Sequence, residues 1–230
     1  MAFRVASLLT LALATISLAS PVPSSLDTRA NKATCATPAV TLPTSALPSP
    51  PPGVVLKYVA LGIGSQNYTC KSNNASEVPA SNGALATLHD ATALLTEPSA
   101  VPVLPPLALS FFHILAILPP SFQLPTMGHH FFNGSLTPVF DLSGACGGPA
   151  KLVAKKAANA PAPADACKGT KGEGAVDWLY LSDAGPSTGG VSMVYRVETA
   201  GGKSPTSCQG QNADIVVPYS AEYWFYGPAS

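Results

Sequence analysis

From Val54 onward the apolar residues of the chain recur at every second position. In VSMVYRVET, Val191, Met193, Tyr195, Val197 and Thr199 share one face, and Ser192, Val194, Arg196 and Glu198 share the other. A side-chain period of two is that of an extended strand, so this run predicts a strand with one wet face. VLKYVALG, GALATLHDA, LTPVFDL, KLVAKKA and SAEYWFY repeat the pattern between Gly, Pro, Ser or Asn punctuation. AVDWLYLS is apolar on both faces, as a central strand would be. Short strands with this punctuation predict an all-β domain over 54–230, a single β-sandwich or a barrel-like arrangement of short, mostly antiparallel strands.

Two stretches break the pattern. Leu107 to Leu118 reads LALSFFHILAIL between prolines, too short for the roughly 20 residues that span a bilayer, and predicts a short apolar helical or loop insert near 97–124. At the start, Arg4 precedes an apolar run to Leu18, and Ser17 and Ala19 are small, which predicts a secretory signal over 1–19 with cleavage after Ala19. Residues 20–53 are rich in Pro, Ser and Thr and predict a leader, either exposed or packed as an irregular strap. No membrane-spanning segment is expected once the signal is removed.

Composition narrows the function classes. Charged residues are 10% of the chain, against about 25% in a typical domain. With 12 basic and 12 acidic side chains there is no net charge for gripping phosphates, which argues against nucleic acid. Hydrophobic residues at 47% are enough for a core, whereas 24 prolines and 19 glycines argue against long helices. Secretion gives meaning to three sequons, at Asn67, Asn74 and Asn133, as candidate glycosylation sites on the surface.

The five cysteines, Cys35, Cys70, Cys146, Cys167 and Cys208, should mostly pair in an oxidising compartment, with at least one left over. Their pairing is open on spacing alone, although Cys146 and Cys167 flank one Gly/Ala/Lys-rich segment and could close a local loop. No CxxC or clustered Cys/His spacing marks a zinc site.

The candidate chemistry is sparse. His129 and His130 are adjacent in GHHFF, and Asp141 follows in PVFDL. Neighbours on a strand face opposite ways, so only one imidazole could join Asp141, His89 or Asp90 in a catalytic or metal site. Asp177 and Glu222 are a conceivable carboxylate pair for glycoside hydrolysis. Tyr223, Trp224, Phe225 and Tyr226 are either sugar-stacking or core aromatics. Gly62-Ile63-Gly64 lacks the third glycine and following helix of a dinucleotide loop, so no cofactor is expected.

Taken in order, LKYVALGIGSQNYTC, GALATLHDA, GHHFF, TPVFDL, GAVDWLYL, VYRVETAGGKSPTSCQGQ and VPYSAEYWFY resemble a secreted family of unknown function. Its fungal members are often labelled malate dehydrogenase. The resemblance implies a fungal secreted protein and a Cys70–Cys208 bridge. It also implies Cys35 as the odd thiol, leaving Cys146 and Cys167 as a local extra bridge. A malate dehydrogenase would need arginines for two carboxylates, yet Arg196 is the sole arginine after the leader. The first expectation is therefore a secreted binding or structural β-domain at or outside the cell wall, with cell-wall polysaccharide or a host surface as partner. The alternative is a secreted hydrolase or metal-dependent enzyme drawing on His129, His130, Asp141 or Asp177.

Overall fold

The computed structural model describes residues 40–111, 124–134 and 136–229. The signal, the leader up to residue 39 with Cys35, the remainder of the apolar run with His113, and Ser135 of the third sequon lie outside them.

The described chain forms a closed antiparallel barrel in which each of eight strands pairs with the next and the last returns to the first. The strands are β1 (Val54–Thr69), β2 (Ala80–Asp90), β3 (Thr126–Phe132), β4 (Pro138–Leu142), β5 (Ala150–Ala160), β6 (Trp178–Asp183), β7 (Met193–Gly201) and β8 (Asp214–Pro228). β1 and β8 are long, at 16 and 15 residues, and pair from Val54↔Pro228 to Thr69↔Asp214. That seam makes a barrel of what alternation alone left as barrel or sandwich. Between β2 and β3 lie two 3-10 turns and the helix α1 (Leu104–Ser110). No helix among the described residues is long and apolar enough to cross a membrane.

Gly62 and Gly64 sit inside β1, where they serve close packing. A Cβ on Gly62 would overlap the Tyr223 ring, and one on Gly64 would overlap the Leu85 carbonyl and the Ala86 backbone. A side chain at either position would force the wall apart, so the glycines answer to barrel closure.

Alternation around the barrel divides the core into two layers. The inner layer gathers Leu88, Met127, Phe140, Leu142, Leu152, Val194, Tyr223 and Phe225. The outer layer lies against β1, β7 and β8 and holds Leu61, Trp178, Tyr195, Val197, Trp224 and Tyr226. It is covered by the end of the leader and by the insert: Leu47 and Leu95 are buried in it, and Tyr195 donates a hydrogen bond to the Pro48 carbonyl at 2.9 Å. Residues 40–53 are thus a packed strap. The predicted wet face of β7 is corrected by the closure: Val194 is fully buried and Arg196 nearly so, because that face lines the barrel interior. The aromatics of β8 are all core, alternating between the two layers.

Cys70 and Cys208 form a disulfide with Cα atoms 5.7 Å apart, tying the β1–β2 and β7–β8 loops together. The expected Cys146–Cys167 bridge is not formed: Cys167 is a free thiol, while Cys146 is disulfide-bonded. The reason is β5, whose 11 residues run between the two cysteines along the barrel wall. At about 3.3 Å per residue that strand is itself roughly 35 Å long, and the two cysteines flank its opposite ends. Cys167 is therefore an unpaired thiol among the described residues, and Cys35, the one expected to be odd, lies outside them. Of the sequon asparagines, Asn74 and Asn133 are exposed and Asn67 is half-buried.

Candidate functional site

Inside the barrel, the apolar layer gives way toward one end to polar groups centred on Arg196. This is the end formed by the C-terminal halves of β1, β3, β5 and β7, where β7 loses register between Val197 and Ala200 and Glu198 takes a positive φ of 46°. Arg196 is 9% exposed, and its Nε and Nη2 both donate to the Asp177 carbonyl, at 3.3 and 2.8 Å. Among the described residues no carboxylate forms an ion pair with it. A buried cation without an anion is costly, so this arrangement calls for an explanation.

The groups facing Arg196 are uncharged. Tyr219 and Tyr223 share a hydroxyl hydrogen bond at 2.8 Å, and Tyr68 donates to the Gly202 carbonyl at 2.6 Å. Burial raises the pKa of all three phenols, and the Arg196 charge opposes that rise. Gln66 is buried beside Tyr219, whose pKa its amide lowers, and its Nε2 has no well-aligned hydrogen-bond partner. At the rim the exposed Asp177 carboxylate accepts from Asn159 Nδ2 at 3.2 Å.

His130 lies deeper, stacked on Phe140 with ring centroids 4.2 Å apart and its Nδ1 3.0 Å from the Val139 carbonyl. Burial lowers its pKa to about 4, and Arg196 pushes the same way against the hydrogen bond. The ring is therefore neutral at pH 7, and the carbonyl partner assigns its proton to Nδ1.

The four expected site residues are divided by the wall. His130 is inside, and Asp177 stands at the rim of the Arg196 end. His129 and Asp141 are cross-strand partners, placed by alternation on the outside. His89 is also outside, with its Nδ1 on the Leu124 carbonyl at 3.2 Å. Among the described residues no three His, Cys, Asp or Glu side chains gather as a metal ion would require.

Asp177 and Glu222 do not form a pair either, since Glu222 is fully buried in the outer layer. Its Oε2 accepts from Trp224 Nε1 at 2.9 Å, while its Oε1 and the nearby Ser220 hydroxyl have no partner. Burial raises its pKa to about 8, with Glu198 adding to the rise against the Trp224 bond.

The interior site thus offers more donors than acceptors: a guanidinium, an amide and several hydroxyls. Such a set suits an oxygen-rich, negatively charged group. Gln66, Tyr68 and Tyr219 were not legible as site residues, because each sits in an ordinary alternating strand, and Tyr223 stood out only as a sugar-stacking or core aromatic. Arg196 stood out only as a lone arginine.

No curated protein matches the chain, and no solved structure does. A family model described as a protein of unknown function, DUF3455, matches residues 50–227. That span takes in nearly the whole barrel together with the last residues of the strap, and the chain belongs to this family.

Proposed function

We propose that the chain is an exported β-barrel binding protein whose Arg196 end takes a small, oxygen-rich acidic ligand, in the first place an acidic sugar. The observation that carries this reading is the buried guanidinium without a carboxylate partner. An anion bound there would supply the missing charge, and Gln66 Nε2 and the rim groups Tyr68, Asn159 and Asp177 would meet its hydroxyls. Such sugars occur in wall polysaccharides and on host surfaces, the two partners expected from the sequence. Export is supported by the signal-like N-terminus and by the Cys70–Cys208 bridge, which suits an oxidising compartment. A dehydrogenase reading draws no support from an antiparallel barrel with its glycine pair inside a strand.

Calorimetric titration of the purified protein with galacturonate and galactose tests the proposal. Galacturonate should bind roughly tenfold more tightly or better, as one charge-assisted contact implies. Arg196→Gln should remove the difference and Arg196→Lys should keep part of it, each variant first checked for an intact barrel by circular dichroism. Equal binding of the two sugars, or no binding of either, overturns the reading.

A further inference from the structure

A pocket of about 330 Å³ opens on the outer wall, between the insert, the segment after β5 and the end of β7. Its volume is at the lower end for small-ligand sites. Asp165 and Glu198 line it and no Lys, Arg or His does, so its lining is acidic, although burial and the neighbouring Asp165 raise the Glu198 pKa. The free, half-buried thiol of Cys167 lines it as well. So does Trp178, which is 3% exposed and whose indole N–H has no hydrogen-bond partner. A buried donor left unpaired is unfavourable, and an oxygen on a ligand would relieve it.

We propose that Cys167 forms a mixed disulfide in this pocket with a small thiol bearing an ammonium group beside a carboxylate or carbonyl oxygen, as an amino-acid thiol does. The ammonium is drawn by Asp165 and Glu198, and the oxygen accepts from Trp178. The step is thiol–disulfide exchange. Cys167 gives its proton to solvent, and its sulfur attacks one sulfur of a low-molecular-weight disulfide. That reagent's S–S bond breaks as the new one forms, and the displaced half leaves as a thiolate that takes up a proton. The small disulfide is the oxidant, and no other reactant is consumed. Half-burial of the thiol and the size of the pocket favour such a reagent over a second protein chain.

Intact-mass kinetics with cystine, cystamine and dithiodipropionate test this on the full chain, independently of the Arg196 end. One adduct per chain is expected, mapped to Cys167, with the Cys70–Cys208 bridge left intact. Relative to their rates with free cysteine in solution, cystine and cystamine should react roughly tenfold faster than the dianionic dithiodipropionate, a typical scale for electrostatic attraction into a charged cleft. Asp165→Asn with Glu198→Gln should collapse that preference, and Asp165→Asn alone should weaken it should the double variant fold poorly. Trp178→Phe should slow cystine and leave cystamine unchanged. An adduct on the Cys167→Ser chain, or rates that merely follow solution reactivity, overturns the proposal.

Discussion

The inner and outer layers of this barrel bury similar side chains under different constraints. The inner layer is enclosed by a hydrogen-bonded wall that cannot move inward without breaking strand pairs. The outer layer is roofed by a strap and a short insert, with the Tyr195 to Pro48 hydrogen bond among the ties. Each layer also buries a titratable group that desolvation drives to neutrality: His130 inside, with its pKa near 4, and Glu222 outside, with its pKa near 8. Burial is the same force in both places, but the neutral form is the deprotonated one for histidine and the protonated one for glutamate. The two layers therefore respond oppositely to pH.

The largest effect should come from cavities. Leu88 and Leu95 are both fully buried, one in the wall and one in the insert. Leu88→Ala should cost about 4 kcal/mol, because the wall cannot collapse into the space, and Leu95→Ala about 2 kcal/mol, because the roof can settle. Urea midpoints with unchanged slopes would measure both. Equal costs would erase the distinction between wall and roof.

Next comes pH. His130 takes up its proton less readily when folded, so its contribution to stability is lost as pH falls from 6.5 through about 4. Glu222 holds its proton more tightly when folded, so its contribution is present below pH 4.5 and is lost as pH rises through about 8. Between pH 4.5 and 6.5 the two slopes oppose each other and cancel. Relative to the parent, Glu222→Gln should therefore gain stability with rising pH across this window, by about 1.4 kcal/mol per unit. His130→Phe, which keeps the stack on Phe140, should change by a similar amount in the opposite sense. Denaturation midpoints that shift in parallel for both variants would refute the opposition.

The smallest effect is Tyr195→Phe, which removes the hydroxyl that holds Pro48. About 1 kcal/mol should be lost, mainly from the strap. Hydrogen exchange should quicken over residues 40–53 and stay unchanged in β4 and β5.

Strand positions were largely legible because alternation is a local property: VLKYVALG lies in β1, LTPVFDL overlaps β4 and SAEYWFY lies in β8. Closure was not legible, since β1 meets β8 only after the whole domain has been traversed. The face of β7 that carries Arg196 read as wet because a polar residue inside a barrel has the same spacing as one outside it. Proximity in sequence misled for Cys146 and Cys167, where an intervening strand acts as a spacer. The Arg196 site is assembled from β1, β5, β7, β8 and the residue just before β6, and no short window contains it.

The seam between β1 and β8 has a further consequence for how the chain could be wired. With Val54 beside Pro228, a linker of a few residues would turn the domain into a ring. The ring could then be reopened elsewhere, for instance at the exposed Ser143–Gly144 turn. Every strand would keep its neighbours, but the one pairing that is distant in sequence would move from β1–β8 to β4–β5. Such a permutant separates folding order from barrel pairing, because the loop closed last changes while the set of strand pairs does not.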